Sequence, residues 1–242
     1  MIDIMLLVCN RIAFLKQSIK MFEDRLSIPF RLIFINNNSR DGTTEYINEL
    51  KEKANYPVIH IFQKESKELP SCYAHNKAMK YVKSEFFITT QDDILIPDLE
   101  PCVLTQMIDL MKKYPECGAL SLRNQQMRRK PLGDEEIMYN INSCPAMFRI
   151  QRKEDINNIG GFGQTNRWED TVMMNRCRYM GKKAGIATNL RCNDIGLGKN
   201  RGYPDWHIKA MKSHRGFEWC NKDKHQYEPD AKSLDPKTFQ PI

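Results

Sequence analysis

Phe86-Phe87-Ile88-Thr89-Thr90-Gln91-Asp92-Asp93 is the stretch on which the fold turns. Its first five residues are aromatic or β-branched, the side chains that suit a pleated, buried surface. The chain then changes abruptly to an amide and two acids, followed by the apolar run 94–96 and Pro97. Packing alone explains paired carboxylates at the end of an apolar strand poorly. The stretch predicts a strand whose C-terminal end opens on a polar site. A strand-end turn with a helix cap would use the same residues.

The same grammar repeats on both sides. Residues 4–8 read as a short strand, followed by Cys9-Asn10-Arg11. Residues 14–25 have helical spacing, with Phe14, Ile19 and Phe22 among the apolar positions. A second strand over 30–35 is stopped by Asn36-Asn37-Asn38-Ser39, and Asp41-Gly42 makes a turn. Thr43 or Thr44 is expected to cap a helix running toward residue 54. Residues 58–62 are a third strand, and 71–83 a helix after Pro70. Beyond the central stretch, helices are expected over 99–113 and 171–180, and strands over 118–122, 146–150 and 184–187. Such alternation predicts an α/β fold with a mostly parallel central sheet and helices on both faces. Polar residues gather at the C-terminal ends of strands one, two and four, where open α/β sheets bind their ligands.

Composition bounds this picture. The 242 residues are 41% hydrophobic and 28% charged, which suits a folded core. The net charge of +7 favours phosphate-bearing or anionic partners without singling out nucleic acid, for which no recognition module is present. Eight cysteines occur with no CxxC pair, so they read as reduced thiols of a cytoplasmic protein. The N-terminal apolar run is too short for a signal peptide, and no apolar stretch reaches membrane-spanning length. Peripheral membrane contact through basic surface stays compatible with the sequence. After Gly196 the periodicity weakens and glycine, aromatic and basic residues dominate, with prolines at 229, 236 and 241. The expected organisation is a domain over 1–195 and a basic, aromatic extension over 196–242 packing on or near it.

Four places carry candidate chemistry. Asp92 and Asp93 offer the hard oxygens that magnesium and manganese prefer and often share with phosphates. Gly160-Gly161-Phe162 leads to Glu169-Asp170 at the start of a helix, where the dipole favours carboxylates. One of these acids could deprotonate an acceptor hydroxyl, or both could be ordinary first-turn caps. The amides of 36–38 could read a base or ribose, or form a turn for local reasons. Arg11 could meet phosphate in a fork geometry, or be a solvated arginine. His75, His207 and His214 lack partners at metal-ligand spacing. No GxSxG elbow, GxxxxGK[ST] loop or glycine-rich turn after strand one occurs, which argues against hydrolase, P-loop and dinucleotide-binding chemistry.

In order and spacing these fragments resemble family-2-type glycosyltransferases of the GT-A fold, over roughly residues 3–195. Val8-Cys9-Asn10-Arg11 is similar to that family's Tyr-Asn-Arg segment, with Cys9 in place of the aromatic. Asn36-Asn37-Asn38-Ser39, then Asp41-Gly42-Thr43, resembles its second strand end, with Asn36 where an acid usually faces the base. Ala74-His75-Asn76 resembles its Ala-Arg-Asn helix, and Gln91-Asp92-Asp93 its DxD motif, with Gln91 replacing the first acid. Gly160-Gly161-Phe162 and Glu169-Asp170, with Arg176 or Arg178 following, match its Gly-Gly-Phe and Glu-Asp pattern.

The resemblance implies a transfer of sugar from a UDP or GDP sugar to a hydroxyl-bearing glycan or other acceptor, with inversion and with Mn2+ or Mg2+. It assigns the donor to Cys9, Asn10, Arg11, Asn36, Asn38, Asn76, Gln91 and Asp92. The metal falls to Asp93, with Asp194 standing where the family often has a metal-binding histidine. The base is Asp170, with Glu169 beside it. The polar loop over 123–140 or the tail after Gly196 would close over the donor. A nucleotidyltransferase, and a non-catalytic nucleotide- or glycan-binding protein of the same fold, are the competing readings.

Overall fold

Every residue of β2 (Phe30–Asn36) is buried, and β1 (Ile2–Val8) and β4 (Phe86–Gln91) are nearly so. Continuous burial of this kind belongs to strands covered on both faces. The computed structural model that shows this describes residues 1–63, 71–124, 134–139, 144–163 and 169–196. Within them, β3 (Val58–Phe62), β5 (Ile94–Leu95), β6 (Cys117–Asn124), β7 (Ile137–Met138), β8 (Arg149–Arg152) and β9 (Lys183–Asp194) complete one sheet. The strand order is β3-β2-β1-β4-β8-β6-β9-β5, with β7 also on β9. The longer pairings, β1 with β2 and β4, β2 with β3, and β6 with β9, are parallel. Antiparallel pairing enters with β8 and with the two-residue strands β5 and β7.

The helices α1 (Ile12–Arg25), α2 (Thr43–Lys53), α3 (Ser71–Met79), α4 (Val103–Lys113), α5 (Lys153–Asn158) and α6 (Glu169–Tyr179) cover the sheet. On one face, Leu15, Ile19 and Phe22 of α1 and Met107 and Met111 of α4 pack on Leu6, Leu32 and Ile88. On the other, Cys72 and Ala78 of α3 and Met173 and Cys177 of α6 meet Met5, Ile33 and Phe87. Each fully buried Leu, Ile, Phe or Met contributes roughly 1.5–3 kcal/mol by leaving water. The α/β architecture with helices on both faces is the one expected.

Several boundaries differ from the expectation for physical reasons. The helix expected over 99–113 starts at Val103, with Cys102 in extended backbone as its N-cap and Pro101 disfavouring helical backbone at Glu100. The one expected over 71–83 ends at Met79, where Tyr81 and Val82 donate to carbonyls three residues back and tighten the last turn. The strand expected over 146–150 lies at Arg149–Arg152, because Phe148 has φ 54° and breaks extended backbone just before it. Neither Thr43 nor Thr44 caps α2. Gly42 does so at φ 92°, while the Asp41 carboxylate accepts from Thr43 N at 3.2 Å and Ile12 N at 2.9 Å. Most of the 123–140 loop and all of the 196–242 extension beyond Gly196, His207 and His214 included, lie outside the described residues.

Candidate active site

The ends of β1 and β2 are stitched together by their own polar residues. Asn10 has φ 52°, and its Oδ1 accepts from Arg40 N at 2.6 Å while its backbone N–H donates to Ser39 Oγ at 3.1 Å. The Cys9 thiol donates to the Asn37 carbonyl at 3.3 Å. Asn36 is wholly buried. Its Nδ2 donates to Thr44 Oγ1 at 2.8 Å and its Oδ1 accepts from Ser39 N at 3.0 Å. The amide of Asn36 therefore serves the turn it sits in. Asn38 follows in left-handed backbone at φ 55°.

Register places the candidate residues on one edge. Val8 pairs with Asn36, and Leu7 with Gln91 at the end of β4. Asn10, Asn36 and Asp93 thus follow the same, C-terminal ends of three adjacent parallel strands. Arg149 of β8 pairs with Thr89 near that end of β4, so it belongs to the same edge.

Between β4 and β5 the two acids meet Arg11, the residue that opens α1. The guanidinium forks across both: Nη2 bonds Asp92 Oδ1, and Nη1 bonds Asp93 Oδ2 at 2.5 Å. The three side chains are 9% (Arg11), 1% (Asp92) and 6% (Asp93) exposed, so this is an interior triad and not a surface ion pair. Burial pushes the Asp92 carboxyl up to about 7, with the like charge of Asp93 adding to the rise and Arg11 opposing it. The Ser18 hydroxyl donates to the Asp92 carbonyl at 2.9 Å and ties the turn to α1. Asp93 Oδ1 is buried and has no hydrogen-bond partner among the described residues.

Strand β9 ends against this triad. Asp194 pairs with Ile94, its Oδ1 accepts from Gly196 N at 3.0 Å, and Ile195 N donates to the Asp93 carbonyl at 3.0 Å. A Cβ on Gly196 would stand 2.0 Å from Asp93 Oδ2 and 2.9 Å from Arg11 Nη1, so the backbone there lies directly on the pair. Sequence reasoning gave Gly196 no role, and a lone glycine carries no signal for one. Among the described residues no three His, Cys, Asp or Glu side chains converge as a ready metal cage. Two carboxylates, one with an orphaned buried oxygen, do fit a divalent cation that completes its shell with phosphate oxygens.

Asp170, the second residue of α6, is held by the chain that enters β8. Its Oδ1 accepts from Ala146 N at 3.0 Å and from Arg149 Nη1 at 3.3 Å. Asp170 is 32% exposed while Arg149 is 1% exposed and also donates to the Cys144 carbonyl. The result is an oriented carboxylate with solvent access. The side chain of Glu169 lies outside the described residues. Arg149 was missed in the sequence, although an arginine inside an apolar strand is a detectable anomaly.

Asn76 grips the Gly-Gly-Phe loop. Its Oδ1 accepts from Phe162 N at 2.8 Å and its Nδ2 donates to the Gly163 carbonyl at 3.0 Å. Arg176 reaches back from α6 to the carbonyls of Ile159 and Gly161. His75 is buried with its ring centroid 5.0 Å from that of Phe162, and neither ring nitrogen has a partner among the described residues. Burial, with Arg149 adding repulsion, lowers its pKa to about 3.

The sequence model of Glycosyl transferase family 2 matches residues 3–177. No curated protein matches the chain significantly. Among solved structures, the mannosyltransferase PcManGT from Pyrobaculum calidifontis in complex with GDP-Man and Mn2+ is similar at TM-score 0.66 and 17% identity, over 87% of this chain and 61% of that one. S. aureus TarS 1-349 in complex with UDP-GlcNAc is similar at TM-score 0.62 and 12% identity, over 87% and 64%. GalNAc-T7 with UDP, GalNAc and Mn2+ is similar at TM-score 0.64 and 10% identity, over 80% and 42%. The chain spans less than two thirds of the length of each, and at these identities the likeness is one of fold.

Proposed function

The chain belongs to glycosyl transferase family 2, and from that premise we propose that it transfers a sugar, with inversion, from a nucleoside-diphosphate sugar to an acceptor hydroxyl. The observation that carries the reading is the placement of Arg11, Asp92 and Asp93 on the same sheet edge as the Arg149-held carboxylate of Asp170. One group suits an anionic leaving group and the other suits a proton.

Asp93 and Asp92 would hold the divalent ion, Mn2+ or Mg2+, which when bound neutralises charge on the departing diphosphate. The protein's own residues do the rest. Asp170 accepts the acceptor's proton as its oxygen attacks the anomeric carbon. Arg149 keeps that carboxylate aimed through its bond to Oδ1. Asn76 and Arg176 fix the Gly160–Gly163 loop that leads into α6. The cross-linked loops after β1 and β2 present Cys9, Asn10 and Asn38 beside the donor. Asp194 anchors the end of β9 against the triad.

The test is release of nucleoside diphosphate from a panel of UDP and GDP sugars, with Mn2+ and a panel of hydroxyl acceptors. Acceptor-dependent release of UDP or GDP is expected. Pyrophosphate release from a nucleoside triphosphate and a sugar phosphate would instead make the chain a nucleotidyltransferase.

A further inference from the structure

We infer that Arg11 is the resident counter-ion of the two site carboxylates, and that a divalent cation and a nucleoside diphosphate bind cooperatively because they must displace and recapture this guanidinium. The inference rests on the glycosyl-transfer reading of the same site and adds to it a coupling between metal and diphosphate.

The geometry leads there directly. Asp92 Oδ1 and Asp93 Oδ2 are both occupied by Arg11, and Asp93 Oδ1 alone of the oxygens of Asp93 has no partner among the described residues. Asp93 Oδ1 is open to a metal ion, but an ion there shares the Asp93 carboxylate with the guanidinium, and one that also engages Asp92 meets it on both acids. A guanidinium and a divalent cation on the same carboxylates repel strongly in a site this buried. Arg11 must leave at least one carboxylate for the metal to enter. Gly196 leaves it little room on the β9 side, since a single added Cβ there would lie 2.9 Å from Nη1.

A displaced guanidinium needs an anion, because a buried cation without a partner is unfavourable. The diphosphate offers two adjacent oxyanions that match the fork. Metal alone therefore binds against the cost of an orphaned Arg11, and diphosphate alone meets a guanidinium still engaged by the acids. Together each supplies what the other lacks. Linkage then requires that each raise the affinity of the other by the same factor. In the absence of donor Arg11 offsets one of the two carboxylate charges.

The experiment measures Mn2+ binding to the full chain by the electron paramagnetic resonance signal of free Mn2+, alone and with saturating UDP or GDP. Wild-type protein is compared with Arg11→Gln and Arg11→Lys. Wild type is expected to bind Mn2+ about 10- to 100-fold tighter with the diphosphate, within the usual range of coupling between sites. Arg11→Gln is expected to bind Mn2+ alone about tenfold tighter than wild type, with the coupling reduced to about threefold or less. Arg11→Lys, whose ammonium cannot fork, should fall between them and carries the test if Arg11→Gln does not fold. If neither variant binds Mn2+ alone more tightly than wild type, while wild type still binds Mn2+ with diphosphate, the inference is overturned and the metal-assisted reading stands. If Arg11→Gln gains Mn2+ binding that wild type lacks in every condition, Arg11 is confirmed as the competing cation and the metal-assisted reading falls. Absence of Mn2+ binding by all three proteins overturns both.

Discussion

Arg149 donates to Asp170 at 3.3 Å from a side chain that is almost wholly buried, while the carboxylate it holds keeps about a third of its surface in solvent. This asymmetry separates two roles that often blur together. The buried partner fixes direction, and the exposed one remains available to a substrate. An acid used only as a helix cap has no need of a buried arginine behind it.

Asp170→Asn should depress turnover by about 10²–10⁴-fold, the usual worth of a general base. Donor affinity should stay nearly unchanged, because a base acts mainly in the transition state. Asparagine keeps an acceptor for Ala146 N–H but leaves the Arg149 charge without its carboxylate. A stability loss of about 1–2 kcal/mol is expected, less than for a fully buried pair because Asp170 is partly solvated. Single-turnover rates taken well below the melting point separate the two effects. Glu169→Gln should lose much less turnover, and a larger loss there would move the base to Glu169.

Asp93→Asn should weaken metal-dependent binding of UDP or GDP more than Asp92→Asn does, by about tenfold or ~1.4 kcal/mol. Asp93 has the orphaned oxygen and lies under the end of β9, whereas Asp92 is the more deeply desolvated acid and the one pushed toward neutrality. Calorimetry with Mn2+ present checks the order. Equal affinities in both variants and the parent would remove the metal role.

What the chain discloses by itself divides along a physical line. The stretch 86–93 was legible because a continuous buried strand and an abrupt polar end are both local signals. The α1 stripe of Leu15, Ile19 and Phe22 was legible for the same reason. The full length of β9 was not, because its polar Arg191 pairs with Arg123 of β6 only beyond a register shift, with Asn189 in the irregular stretch before it. The fork of Arg11 joins residues 81 and 82 positions apart, so motif reading could name the participants but not their contact. Asn76 marks the sharper gap. Motif order offers it to the donor, while its amide is committed to a loop 86 and 87 positions away.

That commitment predicts a coupled pair. Gly161 has φ +89°, and a Cβ on it would stand 2.4 Å from Asn76 Oδ1. Gly161→Ala should cost about 2–3 kcal/mol, from backbone strain of roughly 1–2 kcal/mol and a damaged hydrogen bond. Asn76→Ala should cost about 1–3 kcal/mol by leaving Phe162 N–H and the Gly163 carbonyl without their partner. Removing the Asn76 side chain also removes the clash, so the double variant should lose about 1 kcal/mol less than the sum of the singles. Urea denaturation of the four proteins measures this, and strict additivity would mean that the loop rearranges freely around either change.

His75 sets a pH dependence whose sign follows from its burial. In the unfolded chain its imidazole titrates near the ordinary 6.5, while in the native protein burial and Arg149 hold it down at about 3. Above pH 6.5 the ring is neutral in both states and contributes no slope. As pH falls from 6.5 toward 3, the unfolded state takes up a proton that the native state refuses, so stability is lost across that window. At pH 5 the loss is about 2 kcal/mol, from 1.36 kcal/mol per unit over roughly one and a half units. His75→Phe keeps a ring against Phe162 and removes two nitrogens that find no partner among the described residues. The variant should match or exceed wild-type stability at pH 5, and its stability should fall less steeply between pH 6.5 and 4. Other acids titrate in that range too, so the informative quantity is the difference between the two proteins. Denaturant midpoints at half-unit pH steps give it directly. Parallel curves for wild type and His75→Phe would show that the native protein protonates His75 as readily as the unfolded chain does, and would place the ring in contact with water or an acid.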